Sequence, residues 1–182
     1  MRQLKHHESK LLKKVDFYSW KSEGNIREAT VIRKYRLQRR EDYIAYNRMI
    51  GQITKLVAKL KLLPLENNDR AEMSKSLLDK LFNMGILTSS SSLSQAEKLT
   101  VSSFCRRRLP VVMVRLKMSE NLKEACSLIE KGHVRVGPNV VTNTAYLVTR
   151  MNEDYVTWVD SSKIKRAILQ YNDKVDDYDL LA

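Results

Sequence analysis

Between Val101 and Val159 the spacing of apolar residues changes once, from a helical period to short alternating runs, which restricts this segment to an α+β fold. Val101, Cys105, Leu109, Val112 and Leu116 recur every three or four residues and share one helix face. Pro110 lacks an amide proton and crowds the turn before it, so the helix is expected to kink there or to begin close by. A second helix is expected after Ser119, with Leu122, Ala125, Cys126 and Ile129 inward and Gly132 at its end. Then come β-like runs at His133 to Val136, Val140-Val141, Tyr146 to Val148 and Tyr155 to Val159, with Gly137-Pro138-Asn139 turning the chain between the first two. The expected product is two helices packed on a small antiparallel sheet.

The chain ahead of this module is helical and basic. Ile50, Ile53, Val57 and Leu60 mark one helix, which ends at Leu63-Pro64 because proline disfavours helical geometry in the residue before it. Asp69, with Glu72 three residues on, is expected to cap the next. Its apolar face is Met73, Leu77, Leu78, Leu81 and Phe82, and Gly85 stops it; the two helices read as an antiparallel pair. Thr88 to Ser94 is nearly all serine and reads as a linker with too few apolar groups to pack. The expected organisation is a basic arm at 1–40 that orders on a partner, a helical hairpin and serine-rich linker at 41–99, the α+β module at 100–160, and a C-terminal helix with an acidic tail at 161–182.

Charge then indicates what such a chain binds. Thirty-three Lys and Arg face 21 Asp and Glu, for a net charge of +12. The excess sits in two blocks: residues 1–61 hold 16 basic and 6 acidic side chains, and residues 100–170 hold 12 and 6. Two basic blocks separated by a neutral stretch imply two contact surfaces on a polyanion. In the module, Arg106, Arg107 and Arg108 are placed on the first helix, with Arg115 seven residues beyond Arg108 and Lys117 following. Lys123 and Lys131 lie on the second helix, His133 and Arg135 on the first strand, and Asn139 in the turn after it. Side by side, the helices would line a groove of positive potential in which arginine forks meet phosphate oxygens, unless these groups pair with Glu120, Glu124 or Glu130. In the first block, Lys13-Lys14 and Arg39-Arg40 are candidates for further phosphate contacts or a nuclear import signal. Alanine at Arg106, Arg107 and Arg108 is expected to weaken binding without unfolding the module.

RNA is the expected polyanion. No helix reads as a base-reading recognition helix with a dimer interface, whereas basic helices beside an exposed strand and turn suit the shape and phosphates of folded RNA. Tyr155 and Trp158 are available to stack on bases, although the valines around them favour core packing. Catalysis is not expected: two of three histidines are His6 and His7 in the arm, His133 has no evident partner, and no Walker loop, GxGxxG or HExxH pattern occurs. Cys105 and Cys126 sit in apolar helical patterns and read as core residues in a reducing compartment, with no metal and no cofactor expected. The N-terminus has no secretory h-region and no stretch approaches 18 apolar residues, so no membrane association is expected.

The segment "FCRRRLPVVMVRLKMSENLKEACSLIEKG", the strand "HVRVGPNVV" and the closing "AYLVTRMNEDYVTWV" resemble the S-four-type RNA-binding domain, or alpha-L motif. "KHHESKLLKKVDFYSW", "LLDKLFNMGILT" and "CRRRLPVVMVRLKM" extend the likeness over nearly the whole chain, toward the nucleolar branch of that family. Pro110 and the acidic end "NDKVDDYDLLA" also resemble this branch; the ribosomal relatives tend to end in a basic tail. The resemblance implies a nucleolar, non-catalytic assembly factor of the small-subunit processome. Such a protein binds the U-three small nucleolar RNA and promotes its pairing with precursor small-subunit rRNA. It also implies a large acidic scaffold protein and a Brix-domain protein as partners. The alternative is a structural small-subunit ribosomal protein of the same family.

Overall fold

The computed structural model describes residues 2–14, 26–64 and 66–172. Among them, nine helices and three strands follow in order: α1 (His6–Lys14), α2 (Ile26–Tyr35), α3 (Arg40–Leu62), α4 (Asn68–Asn83), α5 (Leu93–Glu97), α6 (Val101–Cys105), α7 (Leu109–Arg115), α8 (Leu122–Glu130), β1 (Val134–Val136), β2 (Asn139–Val140), β3 (Val156–Trp158) and α9 (Lys163–Tyr171). No helix among the described residues is long and apolar enough to cross a membrane.

The C-terminal module has the expected α+β architecture. β1 lies between β2 and β3, antiparallel to both, with Val134 opposite Trp158 and Val136 opposite Val156. Val134 and Val136 point to the same side of the sheet by the two-residue period of a strand. Against them pack Leu109, Val112 and Met113 of α7 and Ala125 and Ile129 of α8, with Val148 and Val156 completing the cluster. The helix expected from Val101 to Leu116 is in fact two. The chain turns at Arg106–Arg108, and α7 restarts with Pro110 in its first turn, where a missing amide leaves no hydrogen bond unmade. Tyr146–Val148 is not a strand of the sheet but braces this turn: Leu109 N donates to Tyr146 O at 2.9 Å and Val148 N to Arg107 O at 2.8 Å.

The end of the expected arm, and the residues on both sides of the serine run, pack into the core. The end of α2 is anchored by Tyr35 and Leu37, buried with Tyr46 of α3 and Val101, Phe104 and Cys105 of α6. Tyr46 and Phe104 stack with ring centroids 5.7 Å apart. Charge density had concealed this face, because Val31, Ile32, Tyr35 and Leu37 are interleaved with Arg33, Lys34 and Arg36. The serine run is a surface bend of only a few residues. On either side of it Leu87, Ala96 and Leu99 are buried against Val57, Leu78 and Leu81. Two smaller corrections concern α4: Asn67 rather than Asp69 caps it, accepting from Asp69 N at 2.9 Å, and Met73 is 56% exposed. The side chains of Lys13 and Lys14, and residues 173–182 of the acidic tail, lie outside the described residues.

Four helices end in the same way. Leu37 N bonds Ile32 O after α2, Ile86 N bonds Leu81 O after α4, Met118 N bonds Met113 O after α7, and His133 N bonds Leu128 O after α8, all at 3.0–3.1 Å. In each, the residue before the donor takes a left-handed conformation: Arg36 (φ 48°), Gly85 (72°), Lys117 (58°) and Gly132 (73°). Glycine suits this position; a residue with a Cβ there costs about 1–2 kcal/mol.

Both cysteines are free and buried, as expected of core residues. Burial pushes the Cys105 thiol up to about 11, with Arg108 opposing and Asp42 reinforcing the shift, so it stays protonated at neutral pH.

Candidate nucleic-acid interface

The ten module residues expected to face RNA separate into three groups. Arg107 and Arg108 are inside the protein, 6% and 1% exposed, because the turn between α6 and α7 directs both side chains inward. Arg108 Nη1 donates to Asp42 Oδ2 at 2.8 Å and to Tyr46 OH at 3.2 Å, tying the module to α3. Arg107 Nε donates to Val148 O at 2.9 Å and its Nη1 to Glu153 Oε2 at 2.8 Å. Neither can reach a phosphate without unmaking these bonds, so the triple-alanine expectation is corrected: it would damage the fold. Sequence spacing could not show this, since Asp42 and Glu153 lie 66 and 46 residues from their partners.

A second group is exposed or half-buried but engaged. Arg115 pairs with the other oxygen of Glu153. Arg135 donates from Nη1 to Asp160 Oδ2 at 2.6 Å and from Nε to Thr157 Oγ1 at 3.0 Å. His133 Nδ1 lies 3.0 Å from Ser162 Oγ. Ser162 is buried, and its hydroxyl oxygen caps α9 by accepting from Ile164 N, so it is not displayed as a nucleophile. In the first basic block, Arg40 is exposed and paired with Glu28 at 2.6 Å.

The third group is open to a partner. Arg106, Lys117, Lys123, Lys131 and, from the first block, Arg39 are exposed, and among the described residues none joins an ion pair. Lys123 lies on α8 away from the buried Ala125, Cys126 and Ile129, and Lys131 follows that helix. Asn139 is exposed at the start of β2. Of the two aromatics, Trp158 packs against the sheet core as expected, whereas Tyr155 is 61% exposed and free to stack. Among the described residues, the glutamates weighed as arginine partners, Glu120, Glu124 and Glu130, take no arginine; Glu130 accepts from Gln38.

Glu153 links two of these arginines and carries a pH dependence. Burial alone would raise its carboxyl pKa, but the hydrogen bond from Arg107 and the charges of Arg115 and Arg107 outweigh it and hold the group below its ordinary 4.5. The stabilisation is therefore fully present above pH 4.5 and is lost as pH falls through the lowered value. Glu153→Gln is expected to remove this part of the acid limb: wild type and variant should converge in stability at low pH and diverge above it. A constant difference across the acid range would overturn the assignment.

Exposed cations on a module of two helices and a small antiparallel sheet, buttressed by a helical N-terminal half, define a protein of RNA-binding class, suited to phosphates. Comparison with known proteins agrees: residues 3–106 match the ribosomal protein S4/S9 N-terminal domain and residues 107–154 match the S4 domain. The chain belongs to this S4 family of RNA-binding proteins. Within it, several relatives align with this chain over nearly their whole length. The U3 small nucleolar ribonucleoprotein protein IMP3 of Saccharomyces cerevisiae is 56% identical over 98% of this chain and 98% of its own length. The protein of the same name from Homo sapiens is 51% identical over 100% of both. The small ribosomal subunit protein uS4 of Ignicoccus hospitalis is 25% identical over 80% of this chain and 86% of its own.

Proposed function

We propose that this chain is a component of a U3 small nucleolar ribonucleoprotein acting in ribosome biogenesis. In this role it binds the U3 RNA and promotes its pairing with precursor small-subunit rRNA during pre-rRNA processing. The observation that carries the reading is end-to-end identity of 56% and 51% with two relatives bearing that name, against 25% with a ribosomal one. The physics is consistent with it. Pairing two RNAs requires phosphates to approach each other, and a protein with several free cations on one body offsets that repulsion while raising the strands' effective concentration. No catalytic step is needed. The reading places the protein in the nucleolus, within the small-subunit processome, beside a large acidic scaffold and a Brix-domain protein.

RNA crosslinked to the protein in nuclear extract should contain U3 RNA together with precursor rRNA. Recovery of mature small-subunit rRNA alone would instead make the chain a structural ribosomal protein. At the residue level, alanine at Arg106, Lys123 and Lys131 together is expected to leave the melting temperature unchanged and to weaken RNA binding. The slope of log affinity against log salt should fall by about 2, at roughly 0.7 per lost contact with single-stranded RNA. An unaltered slope would show that these side chains are not at the interface.

A further inference from the structure

The four left-handed helix ends are an internal comparison. The motif, its hydrogen bond and its φ are shared, yet α4 and α8 close on glycine while α2 and α7 close on Arg36 and Lys117. Among the described residues, no ion pair or side-chain hydrogen bond at Arg36 or Lys117 repays the strain. Both side chains are exposed, and among the described residues neither is in an ion pair. Strain held at a polar, exposed position is an indication of function.

Their placement supplies the second argument. Lys117 shares an open cleft with Glu124 of α8. Arg36 comes to the same helix from the other side: Gln38, two residues after it, donates to Glu130 of α8. At 3.6 residues per turn, Glu124 and Glu130 fall on opposite sides of the strip through Lys123, the half-buried Ser127 and Lys131. Arg36 and Lys117 therefore stand on the two flanks of the strip that carries the free lysines.

We infer that Arg36 and Lys117 are RNA-contacting side chains, phosphate ligands that widen the α8 surface on both sides and occupy positions where glycine would make the fold more stable. This deepens the proposed function and rests on it. Arg36 joins the site from the helical half, so the interface spans both halves of the chain. Both cations are exposed, outside the buried packing of α2 and α7.

The test is glycine substitution in the full chain. Arg36→Gly and Lys117→Gly should each raise the melting temperature, by roughly 2–4 °C. Each should also weaken binding of U3 RNA several-fold and lower the salt slope by about 0.7. Arg36→Ala should weaken binding equally without the thermal gain, because the strain stays while the charge goes. Unchanged affinity in both glycine variants would overturn the inference, as would a fall in their melting temperature. If the wild type binds mature small-subunit rRNA rather than U3 RNA, the proposed function fails, and the same variants measured on that rRNA still decide this inference. Binding to neither RNA would overturn both.

Discussion

Arg108→Ala is expected to lower the stability of the fold by about 3–5 kcal/mol, the range for removing one partner of a buried ion pair. The guanidinium is 1% exposed, at the junction of α3 and the start of α7, and its loss leaves Asp42 and the Tyr46 hydroxyl without their donor. Arg108→Lys should recover little, since the shorter side chain does not carry its strongly hydrated ammonium to where Nη1 meets both oxygens. Adding Asp42→Asn to Arg108→Ala should restore part of the loss, because the uncompensated carboxylate is then gone. Arg106→Ala, two residues earlier and exposed, should stay within about 0.5 kcal/mol of wild type. Urea midpoints measure all four. An Arg108→Ala protein with an unshifted midpoint and weakened RNA binding would return this arginine to the interface.

The second large effect is at Gly85. A Cβ there would lie 2.7 Å from Arg107 Cζ and Nε, while φ is already 72°. The Arg107 side chain cannot retreat freely, since Val148 O and Glu153 hold it. Conformational strain and overpacking combine, so Gly85→Ala should cost about 2–4 kcal/mol. Gly132 isolates the first contribution. Its φ is 73°, but a Cβ would find its nearest neighbours at an ordinary 3.8 Å, so Gly132→Ala should cost only about 1–2 kcal/mol. Equal losses at the two sites would mean that Arg107 does not press on Gly85.

How much of this was legible in the sequence depends on the range of the interaction. Local signals served well: the change of period at His133, glycine stops at Gly85 and Gly132, and the burial of Cys105 and Cys126 follow from spacing along a few residues. The break at Pro110 was visible, but the turn before it was not. Arg106, Arg107 and Arg108 were therefore placed on one helix and read as a single cluster. The fold gives adjacent arginines different fates, Arg106 outward and its two neighbours inward, because their partners come from distant stretches of chain. The same gap hid the anchoring of α2 by Tyr35 and Leu37, whose burial depends on Phe104 and Cys105. Of the candidate site, Lys117, Lys123, Lys131, Arg106 and Arg39 are exposed, and Asn139 with them. Arg36 was missed because a left-handed cation leaves no trace in composition or periodicity.

The seam between the helical half and the α+β module has a mechanical consequence. Arg108 with Asp42, Thr144 Oγ1 donating to Gln38 at 2.9 Å, Arg150 N donating to Asn83 O at 2.9 Å and the Arg150 guanidinium 3.9 Å from the Phe82 ring centroid lock the halves at several separate points. A body fastened in this way has no hinge along that seam with which to adjust the spacing of its cations. In the proposed role, the accommodation must then come from the nucleic acid. The protein would act as a jig of fixed dimensions, and the flexible RNA strands would bend to its gauge.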